Sequence, residues 1–231
     1  MQVNPDVTVQ ALTPLRKIIA ARMTEAKQVI PHYRMTADIM MDNLLALRKA
    51  YNSTGGKPKV SVNDYIIQGV AQTLTRCPAL NVQFIDGEMH QYHHADIAVV
   101  MAVEGGLSTP IIRKANEKSL KEIAGEVKRL AARAQEGSLT MDDIVGGSFS
   151  VSNLGMYGVN QFDAIINPPQ CAILAVGAVT EKMVVNNGEA TIAQVMRVTL
   201  SLDHRVIDGA VGAVFLSSLK NALEHPDQKR G

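Results

Sequence analysis

The sequence predicts an α+β fold, one domain in which a large mixed β-sheet is flanked by helices. Three observations carry this reading. Segments with the helical apolar period are interleaved with alternating segments, but without strict strand–helix–strand succession. Roughly the last ninety residues read mostly as strands. No repeat, low-complexity run or internal linker divides the chain.

The first dozen residues, MQVNPDVTVQAL, show no period and read as a residual linker over 1–12, with the domain itself spanning 13–231. Thr13-Pro14 supplies an N-cap followed by proline at the first helical position. Leu15, Ile18, Ile19, Ala26 and Val29 keep the helical period until Pro31 stops it. His32 to Met40 alternates, which predicts a strand with Tyr33, Met35, Ala37 and Ile39 on one face and His32, Arg34, Thr36 and Asp38 on the other. A short helix starts at Asp42, and Asn52–Lys59 reads as a mobile loop that lacks the glycine spacing of a phosphate loop. Ser61, with Asp64 three residues on, caps a buried helix ending near Cys77-Pro78.

Asn81–Ile85 and Met89–His93 form a hairpin around Asp86-Gly87, and Asp96–Val103 reads as one apolar strand. Ser119 and Glu122 make a capping box for a helix carrying Leu120, Ile123, Val127, Leu130 and Ala134, closed by Gly137. Strands are predicted over Ser148–Ser152, Cys171–Val179, Met183–Val185 and Ala193–Leu202, with Asn187-Gly188 as a hairpin turn. A final helix runs from Asp208 to about Glu224.

Composition narrows the function classes. With 46% hydrophobic and 19% charged residues, the 231-residue chain is neither disordered nor heavily solvated. A formal net charge of +1 gives no electrostatic reason to expect nucleic acid or an acidic lipid surface. Two cysteines, Cys77 and Cys171, cannot staple a domain of this size, which favours a reducing compartment. No apolar run is long enough to span a membrane, and no secretory signal opens the chain. Aromatic content of 4% without tryptophan makes the expected core aliphatic.

The sequence has no dinucleotide fingerprint, Walker loop, H-E-x-x-H or C-x-x-C motif, and three stretches remain as candidates for chemistry. His90, His93 and His94 lie within HQYHH, but neighbours on a strand point to opposite faces, so a solvent-facing hairpin is favoured over a metal site. Ser148, Ser150 and Ser152 share one strand face before Ser152-Asn-Leu-Gly turns sharply. They form either a polar strand face or a row of donors beside a reacting group. Finally, an apolar strand delivers Asp203-His204-Arg205, and Asp208 caps the next helix. That arrangement fits a tuned general base, with a surface turn as the alternative.

DHRVIDGA, FSVSNLGMYGVNQFDAIINPPQCAILAVGA and TPLRKIIAARM together resemble the catalytic domain of dihydrolipoamide acyltransferases. That family forms the core of 2-oxo acid dehydrogenase complexes, and its fold is shared with chloramphenicol acetyltransferase. The likeness runs from about Thr13 to Glu224. It implies that His204 is the base that deprotonates a thiol, that Ser152 stabilises the tetrahedral oxyanion, and that Asp208 orients rather than transfers protons. Some relatives carry Asn at the last position. Asn153, Arg16 and Lys17 are the expected coenzyme A contacts; for Arg16 and Lys17 a solvated helix face is the alternative.

The resemblance further implies a homotrimer whose active sites lie between subunits, with His204 and Ser152 from neighbouring chains. Coenzyme A and a lipoyl group carried on a separate domain are the expected substrates, and no metal is needed for thioester exchange. A 2-oxo acid dehydrogenase and dihydrolipoamide dehydrogenase are the expected partners, in bacterial cytoplasm or a mitochondrial matrix. MYGVNQFDAIINPPQ resembles the acetyl-transferring branch and carries no cation for a distal carboxylate, so acetyl is the expected acyl group. The last six residues, Pro226 to Gly231, lack the apolar anchor through which relatives dock trimers into shells, so a closed trimer is expected. The competing readings are a non-catalytic scaffold and an acetyltransferase acting on a small hydroxyl compound.

Overall fold

The computed structural model describes residues 6–54, 58–103, 106–186 and 188–226. In chain order the elements are α1 (Pro14–Val29), β1 (His32–Met40), α2 (Asp42–Ser53), α3 (Val62–Arg76), β2 (Val82–Ile85), β3 (Glu88–Gln91), β4 (Ile97–Val99), β5 (Met101–Val103), β6 (Gly106–Ser108), β7 (Ile111–Ile112), α4 (Leu120–Gln135), α5 (Met141–Ile144), β8 (Phe149–Asn153), β9 (Ala172–Asn186), β10 (Glu189–Asp203) and α6 (Gly209–Glu224). Six strands form one sheet in the order β1-β10-β9-β8-β4-β7, with parallel pairing only at β9/β8 and β8/β4. The predicted mixed sheet is therefore present.

The capping signals act as predicted. Thr13 Oγ1 accepts from Arg16 N, and Ser61/Asp64 and Ser119/Glu122 form reciprocal capping boxes. One side of the sheet carries Val151, Leu174, Val176, Val198, Leu200 and Leu202, which pack against helices α2, α3, α4 and α6 in a continuous core. Each fully buried aliphatic or phenyl side chain there contributes about 1.5–3 kcal/mol. The core is aliphatic apart from Tyr65, Phe149 and Phe215, the two phenyl rings lying 5.5 Å apart. Gly69 allows α3 to approach α6 closely, since a Cβ there would stand 3.1 Å from Leu223 Cδ2.

The opposite side of the sheet is covered differently. The coil over residues 159–166 crosses β9, where Ala178 N donates to Val159 O, and β10, where Ser201 Oγ donates to Ala164 O at 2.8 Å. Ala26, Ile30, Ala164, Ile166, Ile173 and Ala175 form a second, smaller apolar cluster beneath it. Helix α1 buries only Ala26, and Leu15 and Ile18 on its exposed length face solvent in the single chain.

Several expectations are corrected. Asn52 and Ser53 belong to α2 rather than to a loop, because Asn52 exchanges two hydrogen bonds with the backbone of Val60. Asp96–Val103 is not one strand: Val100 N turns to Val151 O, so β4 joins the main sheet while β5 pairs with β6. Cys171–Val179 and Met183–Val185 are one long strand, β9, paired with β10 along its length. Strands β6 and β7 and helix α5 were too short for a periodic signal. Asn187, part of the Asn52–Lys59 stretch (55–57) and the tail after Pro226 lie outside the described residues. Residues 7–12 carry no helix or strand and are exposed.

Candidate active site

At the end of β10 the chain makes a tight turn in which Val206 N and Ile207 N both donate to Asp203 O. Asp203 is buried, and its carboxylate accepts from Arg205 N, Nε and Nη2 at 2.7–3.1 Å. The guanidinium also lies 4.6 Å from the Phe84 ring centroid, a cation–π contact. Asp203 N donates to Cys171 O, and His204 N donates to Pro31 O. Both neighbours of His204 are thus anchored, and its ring is presented to solvent.

The imidazole of His204 rests on Tyr33, with ring centroids 4.4 Å apart and planes tilted by 45°. It makes no side-chain hydrogen bond among the described residues, so both ring nitrogens are available. The Tyr33 hydroxyl is buried without a hydrogen-bond partner among the described residues. Burial, then the nearby Asp208 carboxylate, pushes its pKa up, so it stays protonated at neutral pH. Sequence reading placed Tyr33 on the correct strand face but missed its contact with His204, because the two are paired only by the β1/β10 register. Asp208 is exposed at the N-cap of α6 without a side-chain capping bond.

Ser152 sits on the other side of the sheet, 8% exposed, and its hydroxyl has no hydrogen-bond partner among the described residues. The other two serines of the row are structural: Ser148 bonds the backbone of Asp96, and Ser150 Oγ donates to Gln170 Oε1. The Asn153 amide is engaged twice within the chain, donating to Asn63 Oδ1 and accepting from Gly155 N. Arg16 and Lys17 are exposed on the first turn of α1 and make no ion pair among the described residues.

Within one chain the structure does not bring His204 and Ser152 together. Ser152 pairs with Ala175, and Ala175 pairs with Thr199, five residues before His204. At roughly 3.4 Å per residue and 4.8 Å per strand, the two residues are about 17 Å apart along the sheet and about 10 Å across it. They also use opposite faces: Ser152 lies on the side of Ala175 and the smaller apolar cluster, while His204 stacks on Tyr33 beside α6.

The histidine-rich hairpin carries no metal constellation among the described residues. His94 Nδ1 lies 2.7 Å from Glu117, and His90 lies 3.9 Å from Glu88. No helix among the described residues is long and apolar enough to cross a membrane.

The chain matches the family model for 2-oxoacid dehydrogenases acyltransferase (catalytic domain) over residues 4–229. It is 45% identical over 215 residues to the dihydrolipoyllysine-residue acetyltransferase component of pyruvate dehydrogenase complex from Rickettsia bellii, covering 92% of this chain and 51% of that protein. The chain thus spans about half the length of the curated relatives it matches. A crystal structure of a probable dihydrolipoamide acetyltransferase from Listeria monocytogenes superposes with a TM-score of 0.93 at 30% identity, over 99% of both chains.

Dihydrolipoamide acetyltransferase from Azotobacter vinelandii gives a TM-score of 0.90 at 28% identity, over 95% of this chain and 92% of that one. The study of that protein concerned the role of one serine, one histidine and one asparagine in its catalytic mechanism; the serine precedes the histidine by 52 residues and the asparagine follows it by four. A chloramphenicol acetyltransferase, 14% identical with a TM-score of 0.56 over 88% of this chain and 94% of that one, shares the fold.

Proposed function

Since the chain belongs to the 2-oxoacid dehydrogenase acyltransferase catalytic-domain family, we propose that it moves an acetyl group between dihydrolipoamide and coenzyme A, at a site that two chains complete together. The observation that carries this is that the His204 ring and the Ser152 hydroxyl are held by the fold, free of hydrogen bonds among the described residues, but far apart within one chain. They stand at the same 52-residue interval as the serine and histidine studied in the Azotobacter vinelandii protein, with Asp208 where that protein has asparagine. In a closed homotrimer each interface can bring His204 of one chain to Ser152 of the next.

The chemistry follows from the two groups. A thiol is mostly protonated near neutral pH, and only its thiolate attacks a thioester well. Neutral His204 takes the thiol proton as the sulfur attacks the acetyl carbonyl, a contribution of about 10²–10⁴-fold. The carbonyl oxygen becomes an oxyanion, to which the Ser152 hydroxyl donates. Collapse expels the other thiolate, and protonated His204 returns the proton to it. One carbon–sulfur bond forms and one breaks, with no net redox change. Asp208, exposed at the start of α6 and close enough to act on the Tyr33 hydroxyl, takes an orienting role without joining proton transfer.

We take Arg16 and Lys17, exposed at the start of α1, as the cations that meet the coenzyme A phosphates, with Asn153 keeping the Ser152 turn in register. The lipoyl group would arrive on a separate domain, and the 2-oxo acid dehydrogenase and dihydrolipoamide dehydrogenase of such a complex are the proposed partners. Initial rates with free dihydrolipoamide and acetyl-, succinyl- or isobutyryl-CoA test this reading. Acetyl-CoA should give the highest kcat/KM. A tenfold succinyl preference would overturn the acyl assignment, and no transfer from any donor would overturn the function.

A further inference from the structure

Ala175, the cross-strand neighbour of Ser152, shares an apolar cluster with the 159–166 coil, and one end of that coil is held by a histidine. His32, the first residue of β1, bridges two backbone groups. Its Nδ1 lies 2.9 Å from Ile30 O, and its Nε2 accepts from Ile166 N at 3.1 Å. Because Ile166 N–H is a donor, Nε2 must be unprotonated, which places the ring proton on Nδ1, where it is donated to Ile30 O. Ile166 belongs to the apolar cluster that includes Ala175, the direct cross-strand neighbour of Ser152. The 159–166 coil is also tied to the sheet by Ser201 Oγ to Ala164 O, Ala178 N to Val159 O, Arg197 Nη1 to Gln161 Oε1 and the Arg34–Asp163 ion pair.

We propose that His32 is a positioning residue: in its neutral Nδ1–H form it fastens the 159–166 coil, which shares an apolar cluster with Ala175 beside Ser152, and taking up a proton unfastens it. A protonated ring has two donors and no acceptor, so the Ile166 N–H would face another N–H and the bond would be lost. The charged groups around the ring are Lys27 on α1 and Arg34 on β1, which oppose protonation, and Asp203 on β10, which favours it. Asp203 is neutralised by its paired Arg205, and Arg34 is paired with Asp163 on the coil itself. Burial is the largest influence and holds the ring pKa below its ordinary value. The fastened state is therefore fully populated above the ordinary histidine range and is lost only as pH falls below it.

The link to catalysis rests on the proposed role of Ser152; the link to the coil does not. Hydrogen exchange of the peptide containing Ile166, corrected for intrinsic rates, should show protection falling at least about tenfold between pH 7.5 and pH 5 in the unmodified protein. His32→Gln offers a non-titrating acceptor and should keep that protection at both pH values, while His32→Ala should lack it at both. In the acetyl-transfer assay the acid limb of kcat/KM should steepen toward a two-proton slope, with His32→Gln restoring a one-proton slope. Protection that is independent of pH, or equal in His32→Ala and the unmodified protein, would overturn the fastening. A two-proton slope persisting in His32→Gln would overturn its link to activity. A protein that transfers no acetyl group but shows the exchange pattern would sink the functional reading and leave the fastening standing.

Discussion

The Asp203–Arg205 clamp and the Ser61 cap solve the same problem, satisfying polar groups so that the backbone holds one conformation; the His204 and Ser152 side chains are left out of such solutions. Leaving a hydroxyl unpaired at 8% exposure brings no stability, so its presence calls for a ligand. His204→Ala should leave the fold intact, since the ring is exposed and carries no hydrogen bond, while the transfer rate falls by at least about 10²-fold. Circular dichroism with initial rates checks both halves; a folded variant keeping more than about half the activity removes His204 from the mechanism. Ser152→Ala should lower kcat by about 10²–10³-fold with little change in KM, because its hydrogen bond strengthens in the transition state. Its unfolding midpoint should not drop, and an unchanged kcat would contradict the assignment. Both residues stood out in the sequence as candidates through the turn and strand that present them, and their proposed roles came from the family resemblance. Tyr33 and His32 were not, because their partners lie about 170 and 130 positions away and are set by strand register and coil path.

Among the elements, those with strong local chemistry were readable: α1, α3 and α4 from their caps, and β1 from nine residues of alternation. The split of Asp96–Val103 was not, because Ile97–Val99 and Met101–Val103 are equally apolar and only their partners, β8 and β7 for the first and β6 for the second, separate them. The 159–166 coil has no period at all, yet it covers the face of β9 and β10 on which the smaller apolar cluster is built. Its path depends on Gly177: a Cβ there would collide with the Asn160 carbonyl oxygen and crowd Arg197 O at 3.0 Å. Gly177→Ala should therefore cost about 1–3 kcal/mol and lift the coil, lowering activity beyond what the stability loss explains. Urea unfolding with parallel rate measurements checks this, and a variant as stable and active as the parent would show that the coil is not held where we place it.

At the scale of the whole molecule, the six-stranded sheet keeps His204 and Ser152 on opposite faces, two strands apart across it and five residues apart along it, which no side-chain motion in a folded chain removes. The exposed apolar residues of α1, Leu15 and Ile18, add surface that a neighbouring chain would cover. If each site takes its histidine from one chain and its serine from the next, two individually inactive variants can repair each other. His204→Ala and Ser152→Ala proteins, dissociated, mixed in equal amounts and reassembled, should form trimers in which about one quarter of the sites pair an intact histidine with an intact serine. The mixture is thus expected to recover about a quarter of the unmodified activity, while each variant reassembled alone stays inactive. A mixture as inactive as its components, with subunit exchange verified by mass spectrometry, would show that the site lies within one chain and would contradict the account.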